Sequence, residues 1–227
     1  MPPDPAHAMR LAARAMGRHG LAHAYGHVSL RTATDRFLVS PASPLGLVPV
    51  GHPGVEVALD APLLDGALPE VRIHREIYRR RANVGGICRV QPPALMALSA
   101  LGRTPRALHG LGAYFAPAAP LWPNVALVRD DASAAAVADM LGTARAIVLS
   151  GNGCVTVGET LMEAAAHAFF LEDAARIELA LLAAVGERPR EYTSQEAATR
   201  AIKAGGLYER MWDFLCFGDS EWQPSTR

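Results

Sequence analysis

Apolar positions recur along the chain with two periods, and the switches between them outline the elements. Residues 5–19, PAHAMRLAARAMGRH, place Met9, Leu11, Ala12, Ala15 and Met16 near helical spacing, and Gly20 supplies a C-terminal cap. HVSLRT and RFLVS, separated by ATD, predict a β-hairpin. The following SPASPLGLVPVGHPG is a loop by its proline and glycine content. VEVAL predicts a strand turned at LDG, residues 64–66. PEVRIHREIYRRR opens with Pro69 at a first helical position and buries Ile73, Ile77 and Tyr78. VGGICRV predicts a strand, followed by a helix from about Pro92 to Leu101. An irregular stretch with a helical turn then leads to VALV, residues 125–128, as a strand. DDASAAAVADML is a helix whose acidic start suits its positive end. ARAIVLS and GCVTVG predict two strands joined through Gly151 and Asn152. Alanine-rich helices follow over 159–185 and 194–217, the second capped by Ser194. The order reads as a single α/β/α domain over residues 1–227, with its core at about 5–217 and a mixed sheet.

Composition narrows the function classes. Half of the residues are hydrophobic, enough for a sizeable core, and 22 acidic side chains balance 22 basic ones. A formal net charge of zero argues against nucleic acid as a partner, since that needs a basic face. Cys88, Cys154 and Cys216 are odd in number and widely spaced, which fits a reducing cytoplasm better than a disulfide framework. No apolar run reaches membrane-spanning length, so no membrane partner is expected.

The stretch GICRVQPP, from Gly86 to Pro93, carries the chemistry. It is a strand ending that runs into a helix, the junction where α/β proteins usually bind ligands. Arg89 and Gln91 alternate, so both point to the same face. The segments around it resemble the class II aldolase/adducin family. YGHVSLR matches the family's Gly-Asn-x-Ser-x-Arg hairpin start, and FLVSPAS its strand ending in Thr-Pro-Ser-Gly. PEVRIHREIYRRRANVGGI matches its Glu-x-x-x-His helix and next strand. LSGNGCVTVGETLMEAAAHAFFLEDAARI matches its His-Gly turn and long helix. The resemblance implies an α/β/α sandwich with a mixed, largely antiparallel central sheet, and assembly as a homotetramer acting on a small-molecule substrate.

The departures from the family pattern shape the functional expectation. Family aldolases hold a divalent metal by His-x-His at the strand end and a further His before a glycine. The aligned residues here are Arg89, Gln91 and Asn152. Amides hold zinc poorly, and arginine carries a permanent charge. Two unit charges about 4 Å apart at an effective dielectric near 20 interact by roughly 4 kcal/mol, and a divalent ion doubles this repulsion. No metal or other cofactor is therefore expected at the usual place. A zinc, manganese or iron ion on His27, Glu70 and His74 or His109 is the alternative. The family's small hydroxyl residues before the glutamate are Leu68 and Pro69, its hairpin asparagine is His27, and the turn SPAS lacks the glycine, so a sugar phosphate is a poor substrate.

Expected catalytic residues are Glu70 as acid/base, Arg89 as the fork that stabilises an anion, and His27 as a titrating helper. Both a functional and a purely structural reading bring Arg89 close to Glu70. Gln91, Asn152, Ser40, Ser43, His74 and Tyr114 are expected substrate contacts. Tyr114 lies one helical turn after Gly110, which aligns with the family's proton-donor tyrosine. Cys88 points away from Arg89 and packs. The expected function is a metal-independent lyase, aldolase- or decarboxylase-like, with dehydration or isomerisation also open, on a small non-phosphorylated carboxylate or carbonyl compound. A non-catalytic, adducin-like assembly module is the competing reading, and a collapsed, apolar pocket would favour it.

Overall fold

The computed structural model describes residues 4–224 apart from 64–66 and 185–188, so the turn expected at 64–66 and the last residue of the helix expected over 159–185 lie outside the described residues. Helix α1 (Pro5–Arg18) starts on Asp4, whose side chain accepts the Ala6 N–H, and stops where Gly20 turns to φ +68°. Strands β1 (His27–Ala33), β2 (Arg36–Val39), β3 (Val55–Ala58), β4 (Gly86–Val90), β5 (Leu121–Trp122), β6 (Ala146–Leu149) and β7 (Cys154–Gly158) follow in chain order. They form one seven-stranded sheet in the order β3-β2-β1-β4-β7-β6-β5. All neighbours are antiparallel except β5 and β6, so the sheet is mixed and largely antiparallel.

Period-two alternation sorts the side chains onto two faces. Val28, Cys88, Val90, Val148 and Cys154 pack under α1, α3 (Pro93–Ala100), α5 (Leu161–Ala183) and α7 (Leu207–Cys216). Phe37, Ile87, Ile147, Val155 and Val157 pack against α2 (Arg72–Arg80) and α4 (Asp131–Leu141). Each fully buried Val, Leu or Ile contributes roughly 1.5–3 kcal/mol. A 3₁₀ turn, Pro69–Val71, leads into α2. Arg31 ties the far end of that helix to the sheet: its guanidinium donates to the carbonyls of Tyr78, Arg81 and Val84. Of these acceptors Tyr78 lies in the last turn of α2, where carbonyls lack an intrahelical partner. None of the described helices is long and apolar enough to cross a membrane.

Three expectations need correction. Residues 125–128 form no strand, and the edge strand is Leu121–Trp122, parallel to β6. Asn124 explains the difference, because its side-chain oxygen takes the Ala126 N–H and turns the backbone away from the sheet. Val125 and Leu127 are left exposed. The final helix is two, α6 (Ser194–Arg200) and α7, interrupted where Gly205 and Gly206 adopt positive φ. The cap of α6 is Thr193, in a capping box with Glu196, and Ser194 is the first helical residue.

Candidate functional site

Strand register brings the expected chemistry together. His27 lies opposite Arg89, and Ser29 opposite Ile87, across the antiparallel β1–β4 pair. Opposed residues share a face, so His27, Ser29 and Arg89 all look toward α2. Two glycines close the framework. A Cβ on Gly26 would lie 2.9 Å from the Arg89 carbonyl oxygen, and one on Gly153 2.0 Å from the Val90 carbonyl oxygen. Gly153 also needs φ +83°, open to glycine at little cost. The backbone before β1 and the turn before β7 can therefore press against the end of β4.

A cavity of about 620 Å³ opens over this end of the sheet, with His27, Ser43, Glu70, Arg89 and Gln91 on its polar side. Tyr25, Pro44, Leu68, Pro69 and Leu127 supply apolar wall. Arg89 is 5% exposed, its Nε has no hydrogen-bond partner, and it makes no ion pair among the described residues. Burial pushes its pKa below the ordinary arginine value, while the charge of Glu70 pulls the other way. Arginine's intrinsic value is high enough that the group stays a cation. His27 Nε2 and the Ser43 hydroxyl are likewise buried without partners. The cavity thus concentrates three unsatisfied polar groups, an expensive arrangement unless a ligand completes it.

Glu70 faces the same cavity, yet its direct partner is not Arg89. Its Oε1 accepts from Arg129 Nε at 2.8 Å. Arg129 went unseen in the sequence because no spacing links it to Glu70, 59 residues away. His74 is buried beneath the cavity, with one ring nitrogen on His27 Nδ1 at 2.8 Å and the other on Ser29 Oγ at 2.6 Å. Burial first, then His74 and Arg89, hold His27 well below the ordinary histidine range. Burial and Arg89 hold His74 down at about 3. Both rings are neutral near pH 7, so His27 does not titrate there as expected.

Other expected contacts lie elsewhere. Ser40 is buried in the hairpin, where its hydroxyl accepts the Val28 N–H. Asn152 sits behind Gln91, accepting from its amide at 2.7 Å, and is not part of the cavity wall. Tyr114 is not at this site. It lies in a short 3₁₀ turn, packed near Phe170, His167 and Tyr208, with its hydroxyl on the Ile202 carbonyl. A second cavity of about 460 Å³ borders Tyr114, with Lys203 and His167 on its wall. Lys203 pairs with Glu159 and Glu163, and His167 uses both ring nitrogens. Cys88 packs on the opposite face from Arg89, in the core under α5.

The family's divalent metal does not fit this donor set. The aligned positions hold a guanidinium and two neutral amides, and the Asn152 oxygen already accepts from the Gln91 amide. The shifted site through His74 does not fit either, because both His74 ring nitrogens are engaged, and His109 is not among the residues lining the cavity with His27 and Glu70. Among the described residues, no three His, Cys, Asp or Glu side chains converge as a metal-binding group.

A 3,4-dihydroxyphthalate decarboxylase from Terrabacter sp. (strain DBF63) is 29% identical, matching over 77% of this chain and 80% of its own length. A protein of the same name from Arthrobacter keyseri is 26% identical over 79% of each chain. The crystal structure of L-fuculose-1-phosphate aldolase from Thermus thermophilus superposes with a TM-score of 0.72 at 27% identity, covering 82% of this chain and all of that one. The superfamily and its decarboxylase-named members support an enzyme of the lyase type and leave the bond broken open. The family profile for the class II aldolase and adducin N-terminal domain matches residues 7–179, well over half of the chain, and the protein belongs to that family.

Proposed function

We propose that this protein is a metal-independent decarboxylating lyase for a small, non-phosphorylated aromatic or hydroxy carboxylate. The observation that carries the proposal is the buried, unpaired Arg89 guanidinium on the cavity floor. Two cations line the cavity, and Arg129 is already committed to Glu70, which leaves one uncompensated positive charge. One charge suits a carboxylate or enolate oxygen pair, gripped by parallel N–H donors. A phosphate, at about −1.5 to −2 near neutral pH, asks for more. The names of the two decarboxylase relatives support loss of CO₂ over the other lyase reactions.

In this scheme Arg89 holds the anionic group that the substrate keeps. The carboxylate to be lost lies against Leu68, Pro69 and Leu127, where an apolar wall favours a neutral product over a charged reactant. The ring carbon that bears this carboxylate takes a proton, the C–C bond then breaks, CO₂ departs and its electron pair re-forms the ring π system, while Arg89 steadies the anionic group that remains. The Glu70 carboxylate, paired with Arg129, takes a proton from solvent on the exposed Arg129 side, passes it to that carbon and returns to its paired form. The net change consumes one carboxylate and one proton and yields one C–H bond and CO₂. The open cavity also speaks against an assembly-only module, for which apolar filling was expected. Self-assembly as a homotetramer belongs to this reading, with the exposed Tyr25, Val125 and Leu127 offering apolar surface. So does a cytoplasmic location, which three free, buried cysteines suit.

The test is CO₂ release from 3,4-dihydroxyphthalate and from mono- and dihydroxybenzoates, in EDTA. Turnover that persists in chelator and falls at least about 100-fold in Arg89→Ala supports the assignment. Turnover indifferent to Arg89→Ala removes it.

A further inference from the structure

A run of hydrogen bonds leads inward from the cavity and ends in the core. His27 Nδ1 lies 2.8 Å from His74 Nε2, His74 Nδ1 lies 2.6 Å from Ser29 Oγ, and Ser29 Oγ lies 2.9 Å from the Tyr78 hydroxyl. All four residues are buried. The free end, His27 Nε2, belongs to a residue of the cavity wall and has no partner.

With both rings neutral, the hydrogens can be ordered in two directions. In the first, Tyr78 donates to Ser29, Ser29 to His74 Nδ1, and His74 Nε2–H to His27 Nδ1. Every internal donor is then matched, and His27 carries its hydrogen on Nε2, toward the cavity. In the second, His27 Nδ1–H donates to His74, His74 Nδ1–H to Ser29, and Ser29 to Tyr78. The Tyr78 O–H is then stranded in the core, because Ser29 is its one hydrogen-bond partner among the described residues. A buried donor with no acceptor is disfavoured, so the first order prevails.

The run is also a dead end for protons. Passing one out through His27 would leave a phenolate on Tyr78, whose ring packs 4.9 Å from that of Phe37. Burial already pushes that phenol above its ordinary pKa. The network therefore holds a hydrogen in place and does not supply one, which leaves proton delivery to Glu70.

We propose that Tyr78, Ser29 and His74 are positioning residues that fix His27 as the neutral tautomer with its hydrogen on Nε2, and that this N–H, beside the Arg89 guanidinium, donates to an anionic oxygen of the ligand. The inference rests on the reading of this cavity as a carboxylate site. It adds a neutral donor to a single cation, so the ligand's bound group is recognised by two kinds of donor without a second positive charge.

Long-range ¹H–¹⁵N correlation spectra of ¹⁵N-histidine-labelled protein test the tautomer directly in the unmodified chain, with His27→Gln used for assignment. Expected is a pyridine-like Nδ1 and a pyrrole-like Nε2 for both His27 and His74. The reverse pattern, or a doubly protonated ring, overturns the inference. Tyr78→Phe keeps the ring that packs on Phe37 and beneath Arg31 and removes only the hydroxyl. It should mix the His27 tautomers and weaken phthalate binding by about 3- to 10-fold, the worth of one neutral hydrogen bond. A Tyr78→Phe protein with unmixed tautomers and unchanged phthalate affinity also overturns it. Phthalate binding that is absent, or indifferent to Arg89→Met, defeats the carboxylate site and the donor role together. Binding lost in Arg89→Met with His27 in the opposite tautomer defeats this inference alone.

Discussion

Replacing Arg89 with methionine separates a cation kept for a ligand from a cation kept for the fold. The guanidinium is 5% exposed and has no ion-pair partner among the described residues, while Glu70 is paired with Arg129. Methionine has a similar length, carries no charge and adapts to irregular space. Buried ionic groups replaced by well-packed apolar ones are often neutral to stabilising, so Arg89→Met should gain about 1–3 kcal/mol. For a chain of this size that is roughly 2–12 °C in Tm. Binding moves the opposite way: losing one partner of a buried, hydrogen-bonded charge pair costs about 2–5 kcal/mol, or roughly 30- to 5,000-fold in carboxylate affinity. Thermal unfolding by calorimetry and phthalate titration read the two effects on one preparation. A protein destabilised by more than about 1 kcal/mol would show that Arg89 makes a net structural interaction of hydrogen-bond size, and would refute the reasoning.

Three further outcomes follow from the geometry. Glu70→Gln should lower kcat by about 10²- to 10⁴-fold. Its effect on melting should stay within about 1 kcal/mol, because the Arg129 side of the pair is largely exposed. Toward acid, the C-terminal clamp on α1 should fail: burial opposes the charge on Asp219, but hydrogen bonds from Arg14 and Arg18 outweigh it and hold the group at about 2, and Arg10, then Arg14, hold Glu221 at about 2. Depressed carboxylates stabilise the fold above their unfolded values near 4, and the gain fades as pH falls toward 2. Asp219→Asn should therefore flatten the pH dependence of Tm over that window, and an unchanged slope would contradict the assignment. Gly153→Ala should cost about 3 kcal/mol or more, read as a loss of soluble protein or a large fall in Tm, since its Cβ would sit 2.0 Å from a backbone oxygen.

Much of this was legible in the sequence, and the failures have physical causes. Alternation in VGGICRV correctly put Arg89 and Cys88 on opposite faces, because a strand's period of two leaves no other choice. The motif order found the family, and with it the nearness of Glu70 to the end of β4. Spacing alone did not reveal that His27 stands opposite Arg89, because register is set by which strands pair across 62 positions of sequence. His27 was expected to titrate, but burial and a neighbouring cation override the free-histidine value. The apolar run 125–128 read as a strand until one asparagine side chain diverted its backbone. Tyr114 was extrapolated by a helical turn from Gly110, and a 3₁₀ turn packed into the core carries it elsewhere. Arg129 had no local signature at all.

The account stands on an organic cation occupying the place where this scaffold seats a divalent ion. Elemental analysis of protein purified without chelator or added metal, on the fraction that turns over substrate, addresses that most directly. It should find zinc, manganese and iron each far below one ion per chain at full activity. One ion per chain, lost together with activity and restored with it, would contradict the account.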